Sequence, residues 1–321
     1  MKHKCSIVIP AIKLDEDLER CIAACNKIVS VKIKIFIISD TKINKKFKNT
    51  VFKSFGKINM SKKRNLATKY VKDKYLAFLD ADCYPTKNWL SNAINILKKN
   101  KKIGIVSGPD FPFPDQKGFH KTLGLAHKSI ILSGSKTFRK NLSKTKEVKQ
   151  VSSCNMVMKK KTFEYVNGMD PKIYIGEDVD FCNRVNNLFK IVYSPRVKIF
   201  HKSRTFLPFL AQRYAYGTCV LDAFKKTKSI KNLQYFGPLI ITLSFILGIF
   251  SFLMPYAEYI LFMNIFIGSI IVFESIKLSK NIFEIMKLII IFVLSIVFFG
   301  FGSIARILRF SKNLKSIYTY R

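Results

Sequence analysis

The octapeptide Tyr75-Leu76-Ala77-Phe78-Leu79-Asp80-Ala81-Asp82 joins five unbroken apolar residues to two carboxylates that flank an alanine. An apolar run of that length without polar alternation reads as a strand covered on both faces, the pattern of a parallel sheet. Ligands of such sheets gather beyond the carboxyl ends of the strands. Residues i and i+2 of an extended segment point the same way. Asp80 and Asp82 can therefore hold one hard divalent cation, and Mg²⁺ and Mn²⁺ favour such oxygen ligands and share them with substrate phosphates.

The flanking sequence repeats the theme. Cys5 to Ile9 is a short β-branched strand ending at Pro10, and Ile33 to Ile38 is another, ending at Ser39-Asp40. Leu14 to Val29 has helical spacing, with Asp15, Glu16 and Asp17 in a first turn whose dipole favours acids. Lys62 to Val71 and Thr86 to Lys98 also read as helices, and Ile103 to Val106 as a strand. Strands alternating with helices predict an α/β domain, with Asp40, Asp80 and Asp82 at strand ends. Neither GxGxxG nor GxxxxGK[ST] occurs, which argues against a dinucleotide enzyme or a P-loop NTPase.

Lys and Arg total 56 against 20 Asp and Glu in 321 residues, a formal net charge of +36. Such a surface attracts anions: nucleotides, acidic lipid or nucleic acid. No helix-turn-helix, zinc-finger or RNP pattern accompanies the charge, so nucleic acid ranks last among these partners. The seven cysteines form no CxxC pair and are odd in number, and they read as reduced, packed thiols rather than a zinc site or disulfide frame. Met1 to Cys5 runs directly into a strand with no apolar h-region after it, which predicts no secretory leader.

Apolar residues concentrate after residue 235. Phe236 to Met254 and Leu288 to Ala305 carry no charge, and Tyr259 to Phe273 is apolar except for Asn264. Spanning a bilayer takes about 20 apolar residues. The first and last runs are transmembrane candidates and the middle one is marginal, so two to three hydrophobic helices are expected. Lys225, Lys226, Lys228 and Lys231 precede the first run, which predicts a cytoplasmic N-terminal domain. Lys277, Lys280 and Lys287 precede the last run, and Arg306, Arg309, Lys312, Lys315 and Arg321 follow it. Three crossings would put that basic tail outside, against the positive-inside trend. The expected division is residues 1–225 as the α/β domain and 226–321 as a membrane region with a basic tail.

A second acidic pair, Glu177-Asp178, lies in Gly176-Glu177-Asp178-Val179-Asp180-Phe181-Cys182-Asn183-Arg184-Val185, where acids open an apparent helix. A carboxylate beside a metal-diphosphate site can deprotonate an acceptor hydroxyl. Taken in order, the Ile-Val-Ile-Pro strand, an Asp ending the second strand, Lys63-Arg64-Asn65, Leu-Asp-Ala-Asp and Gly-Glu-Asp resemble an inverting family-2 glycosyltransferase of the GT-A fold. The resemblance covers roughly residues 4 to 220.

That resemblance implies a GT-A domain followed by a transmembrane helical region. It implies a nucleotide-diphospho-sugar donor, a UDP-sugar first among them, bound through Mn²⁺ or Mg²⁺. Pro10 and Asp40 would lie around base and ribose. Arg64 would face the nucleotide, in a stretch where the family's Ala-Arg-Asn has its alanine replaced by Lys63. Asp80 would contact ribose or metal, Asp82 would coordinate the metal, and His201 sits where some relatives carry a third ligand. Asp178 would be the general base, ahead of Glu177, and displacement from the opposite face would invert the anomeric carbon. Ser152 to Met158 resembles the strand that often carries small residues beside the sugar.

Other segments bear on the acceptor. Gly108 to Pro114 is a proline-punctuated loop, and Gly118 to Gln150 is basic, with His120, Lys121, His127, Lys128, Arg139 and Lys140. The expectations for the basic stretch are a cover over the acceptor, a surface lying on anionic lipid, or a solvated insertion. In Gln212-Arg213-Tyr214-Ala215-Tyr216, Ala215 and Tyr216 stand where processive synthases carry the Arg-Trp of Gln-x-x-Arg-Trp. This departure points away from a processive synthase and toward a single-sugar transferase of exopolysaccharide or lipid-linked glycan assembly, acting at the inner membrane on a polyprenyl-linked acceptor. The alternatives are a polyprenyl-phosphate glycosyltransferase of the dolichol-phosphate-mannose-synthase type, and a non-catalytic basic membrane-associated binding protein.

Overall fold

The computed structural model describes residues 3–134, 144–227, 236–250 and 257–308. Packing divides them into two compact units, one of residues 3–113 and 144–202, the other of 114–134 and the described part of 203–308. By packing, the helix Phe206–Thr227 and residues 114–134 belong to the second unit.

The first unit contains eleven strands: β1 (His3–Pro10), β2 (Val31–Ser39), β3 (Thr50–Ser54), β4 (Tyr75–Leu79), β5 (Cys83–Pro85), β6 (Ile103–Ser107), β7 (Asp110–Phe111), β8 (Lys146–Val148), β9 (Asn155–Lys159), β10 (Lys190–Tyr193) and β11 (Ile199–His201). Eight form one sheet in the order β3-β2-β1-β4-β9-β6-β10-β8. β1, β2, β3 and β4 run parallel to one another, and β6 parallel to β10, while β9 is antiparallel to both neighbours and β8 to β10. The sheet is thus mixed α/β, and the arrangement is the GT-A type that the resemblance implied.

The continuous apolar runs explain the central strands. Ile7, Val8, Ile9, Leu76, Ala77, Phe78 and Leu79 are all inaccessible to solvent, sandwiched between helices on both faces. The helix Glu16–Asn26 begins where Asp15 accepts a hydrogen bond from the Leu18 amide at 2.9 Å, and it buries Leu18, Cys21, Ile22 and Cys25 on the sheet. Trp89–Lys99 buries Trp89, Leu90, Ala93, Ile94 and Leu97 in the same core, an i, i+1, i+4, i+5, i+8 stripe.

β5, β11 and β7 form a second, three-stranded sheet: β11 pairs antiparallel with β5 (His201 opposite Cys83) and parallel with β7 (Ile199 opposite Asp110). None of these three short strands follows from local pattern, and this sheet gathers much of the candidate site.

The second unit is helical. Phe206–Thr227 packs along Ile282–Ile307 at backbone distance, because a Cβ on Gly217 would overlap the Phe299 carbonyl and one on Gly302 the Tyr214 carbonyl. Leu123, Phe209, Ile271, Leu288 and Phe292 share its core. Among the described residues, two helices are long and apolar enough to cross a membrane, by length and composition: Ala257–Leu278 with 22 residues and Ile282–Ile307 with 26. At 1.5 Å rise they extend about 33 and 39 Å, against a hydrocarbon core of about 30 Å. The middle run, marginal in sequence, is therefore one of the two. Asn264, the residue that interrupted it, is satisfied by Ser244, its Nδ2 donating to the Ser244 carbonyl at 3.1 Å. The first run forms instead a 13-residue helix, Gly237–Ile249, about 20 Å long. Residues 251–254 of that run lie outside the described residues, as do Arg139, Lys140, Lys228, Lys231 and the basic tail from Arg309 onward.

Candidate functional site

The carboxyl ends of β1, β2 and β4 lie side by side because those strands are parallel neighbours in register, Pro10 opposite Ile38 and Val8 opposite Phe78. Past these ends, Ala11 donates its amide to the Ile38 carbonyl at 2.9 Å and Asp40 to that of Ile12 at 2.9 Å, so Pro10 and Asp40 share one corner. Lys63 closes it from below. Its ammonium donates to the Ala11 carbonyl at 2.5 Å and pairs with Asp40 Oδ1 at 2.7 Å, with the lysine side chain 1% exposed. Burial pulls the Lys63 pKa below its ordinary value, opposed by the bond and charge of Asp40.

One residue on, Arg64 links two parts of the chain that are distant in sequence. Its guanidinium is buried over the Phe78 ring, donates to Asp80 Oδ1 at 2.8 Å and pairs with Glu177 Oε1 at 3.3 Å. The fork therefore ties the end of β4 to the start of the helix Glu177–Asn186. That helix can begin there because Gly176 takes a left-handed conformation, φ +78°, which a side chain would strain. Burial and the adjacent Asp178 charge hold the Glu177 carboxyl above its usual range, partly offset by Arg64. Asp178 is half-buried, and among the described residues its carboxylate has neither a hydrogen bond nor an ion pair.

The small sheet supplies the third corner. Pairing of β11 with β5 sets His201 Nε2 at 3.3 Å from Asp82 Oδ1, and pairing with β7 sets Nδ1 at 3.9 Å from Asp110 Oδ2. Burial alone would lower the imidazole pKa, but Asp82 and Asp110 outweigh it and raise it well above its ordinary value. Asp80, Asp82 and His201 each offer one donor atom, all within 4.8 Å of one another. Two carboxylate oxygens and one imidazole nitrogen, all half-buried, suit Mn²⁺ or Mg²⁺. This donor set fits the metal that the sequence motif implied.

Of the residues singled out from sequence, Asp40, Asp80, Asp82, Glu177, Asp178 and His201 border this corner of the first unit. Arg64 has as its immediate partners the carboxylates of Asp80 and Glu177. Sequence reasoning missed Asp110, whose two-residue strand carries no pattern, and the role of Lys63, noted only as a departure. It also gave no role to Asn155, a buried hub that accepts from Trp89 Nε1 at 2.8 Å and donates to the carbonyls of Gly108 at 2.9 Å and Val197 at 2.8 Å. The cysteines are free and six of the seven are buried, as packed thiols, and Cys83 and Cys154 meet beside His201.

With the geometry established, relatives can be compared. Residues 6–166, half of the chain, match the family described as "Glycosyl transferase family 2". Two curated relatives, each named "Pre-mycofactocin glycosyltransferase" and from Mycobacterium tuberculosis strains CDC 1551 and H37Rv, are 26% identical over 152 residues. The match covers 44% of this chain and 30% of theirs, so this chain spans under a third of the length of those relatives. Among solved structures, S. aureus TarS 1-349 aligns with TM-score 0.47 and 10% identity over 69% of this chain and 65% of that one. A longer S. aureus TarS structure aligns with TM-score 0.45 and 13% identity over 68% and 40% respectively. The chain belongs to glycosyl transferase family 2.

Proposed function

We propose that this protein is a divalent-metal-dependent, inverting glycosyltransferase that moves one sugar from a nucleotide-diphospho-sugar, first among them a UDP-sugar, to a membrane-associated, polyprenyl-linked glycan acceptor. The observation that carries the reading is the convergence of Asp80, Asp82 and His201 beyond the ends of parallel strands, with the Glu177-Asp178 helix terminus tied to Asp80 through Arg64.

Asp80, Asp82 and His201 would hold Mn²⁺ or Mg²⁺, which when bound supplies Lewis-acid neutralisation of the departing diphosphate. The protein side chains do the rest. Asp40, fixed by Lys63, and the backbone after Pro10 would receive base and ribose. Arg64 positions Asp80 and keeps Glu177 occupied. Asp178, without a protein partner, is free to take the acceptor hydroxyl proton as its oxygen attacks the anomeric carbon from the face opposite the diphosphate. One displacement inverts the configuration. Glu177, engaged by Arg64, is the weaker candidate for that proton.

The division of labour proposed is catalysis in residues 1–225 and membrane attachment in 226–321. The helices Ala257–Leu278 and Ile282–Ile307 support a multi-pass anchor, and Lys225, Lys226, Lys228 and Lys231 support a catalytic domain on the cytoplasmic side. The test is transfer from a panel of radiolabelled nucleotide sugars into extracted membrane lipid, with and without Mn²⁺. Metal-dependent label in a lipid-linked glycan supports the proposal; label only in water-soluble acceptors refutes the lipid-linked part, and a polyprenyl-phospho-sugar product would replace it with direct transfer to polyprenyl phosphate.

A further inference from the structure

We propose that Cys83, Cys154 and His201 form a second metal site, selective for a borderline-soft divalent cation such as Zn²⁺, which shares its imidazole with the Asp80–Asp82 site and so excludes the ion held there. The three donor atoms lie within 4.8 Å of one another. Cys83 is inaccessible and Cys154 is 1% exposed, while the half-buried His201 marks the side from which an ion can enter. The strand pairing that sets His201 opposite Cys83 fixes two of the ligands, and Cys154 immediately precedes β9, whose Asn155 is held by three hydrogen bonds.

The chemistry of the donors separates the two sites. Thiolates select zinc over magnesium and manganese, whereas carboxylate oxygens favour the harder ions. Two cysteines and one histidine are a known zinc ligand set with an open fourth position. Cys21 and Cys25, the other neighbouring thiols, belong to no such group with a histidine among the described residues. His201 belongs to both groups, and two dications sharing it within so small a donor set would repel strongly. Occupation is therefore exclusive, and zinc acts as a competitor of the catalytic ion. The thiolate site stands on these three residues alone; the competition rests on the reading of Asp80, Asp82 and His201 as the hard-ion site.

The experiment uses the full chain in detergent after chelation of bound metal. Titration with Cd²⁺, read by thiolate-to-metal charge-transfer absorption in the ultraviolet, is expected to saturate at one equivalent. Affinity should fall at least about 100-fold in Cys154→Ser and, separately, in Cys83→Ala, beyond what outer-shell changes cost, and survive in Asp80→Asn. In the same sample, one equivalent of Zn²⁺ should release bound Mn²⁺, followed by its paramagnetic resonance, from the wild type but not from Cys154→Ser. Absence of the absorption band, or its persistence in both cysteine variants, overturns the site. Zn²⁺ and Mn²⁺ bound together overturn the competition. A Cd²⁺ band in a protein that binds no Mn²⁺ supports the thiolate site and overturns the competition together with the hard-ion reading.

Discussion

Lys63 stands where the resembling family has alanine, and it does what no alanine can: it fixes Asp40 through a buried ion pair. Breaking such a pair leaves an uncompensated charge, typically at about 3–5 kcal/mol. The two acids of the Glu177-Asp178 pair part company for a similar reason, one being engaged by Arg64 and the other unpartnered. Asp178→Asn should lower the transfer rate by roughly 10²–10⁴-fold while leaving nucleoside-diphosphate affinity within a few-fold, measured by initial rates and equilibrium binding on one preparation. Glu177→Gln tests the other acid through stability. The folded protein holds the Glu177 proton above the ordinary value near 4.5, so it retains a proton that the unfolded chain has released. Stability contributed by Glu177 is then present at low pH and lost as pH rises from the unfolded pKa through the folded one. The wild-type melting temperature should fall relative to that of Glu177→Gln as pH rises from 4.5 toward neutrality (~7); a relative rise would show that the Arg64 pair dominates.

At the scale of elements, legibility followed burial. β1, β2, β4 and β6 were readable because strands covered on both faces are continuous apolar runs, and β4 ends at Asp80 as its sequence indicates. β5, β7 and β11 have two or three residues each, and their pairing joins segments far apart in the chain. No local periodicity can announce them, so Asp110 and the Cys83–Cys154 cluster stayed hidden although Asp82 and His201 did not. Asn155 braces this region, bonding the carbonyls of Gly108, just before β7, and Val197, just before β11. Asn155→Ala strands two buried carbonyls and the Trp89 N–H, each costing about 1–3 kcal/mol. It should destabilise the protein by at least ~3 kcal/mol in urea unfolding and weaken Mn²⁺ binding by loosening His201. A variant of wild-type stability would show that the small sheet does not depend on this residue.

For the whole molecule, the apolar third was evident in sequence but the spans within it were not. Asn264 interrupts the middle run in sequence but is satisfied by Ser244 in the fold, whereas Phe236 to Met254 yields a described helix of only 13 residues. Ala257–Leu278 exposes Tyr259, Phe262, Ile265, Phe266 and Phe273, a surface suited to lipid. The chain should remain in the membrane pellet after an alkaline carbonate wash; release into the supernatant would contradict two crossings. The central claim, a nucleotide-diphosphate site completed by a metal on Asp80, Asp82 and His201, is tested most directly by calorimetric titration of the detergent-purified protein with UDP, GDP, TDP and CDP, with and without Mn²⁺. The account predicts Mn²⁺-dependent binding of one of these diphosphates, lost in Asp82→Ala. Failure of a folded sample to bind any of them, or binding indifferent to both Mn²⁺ and Asp82, would contradict it.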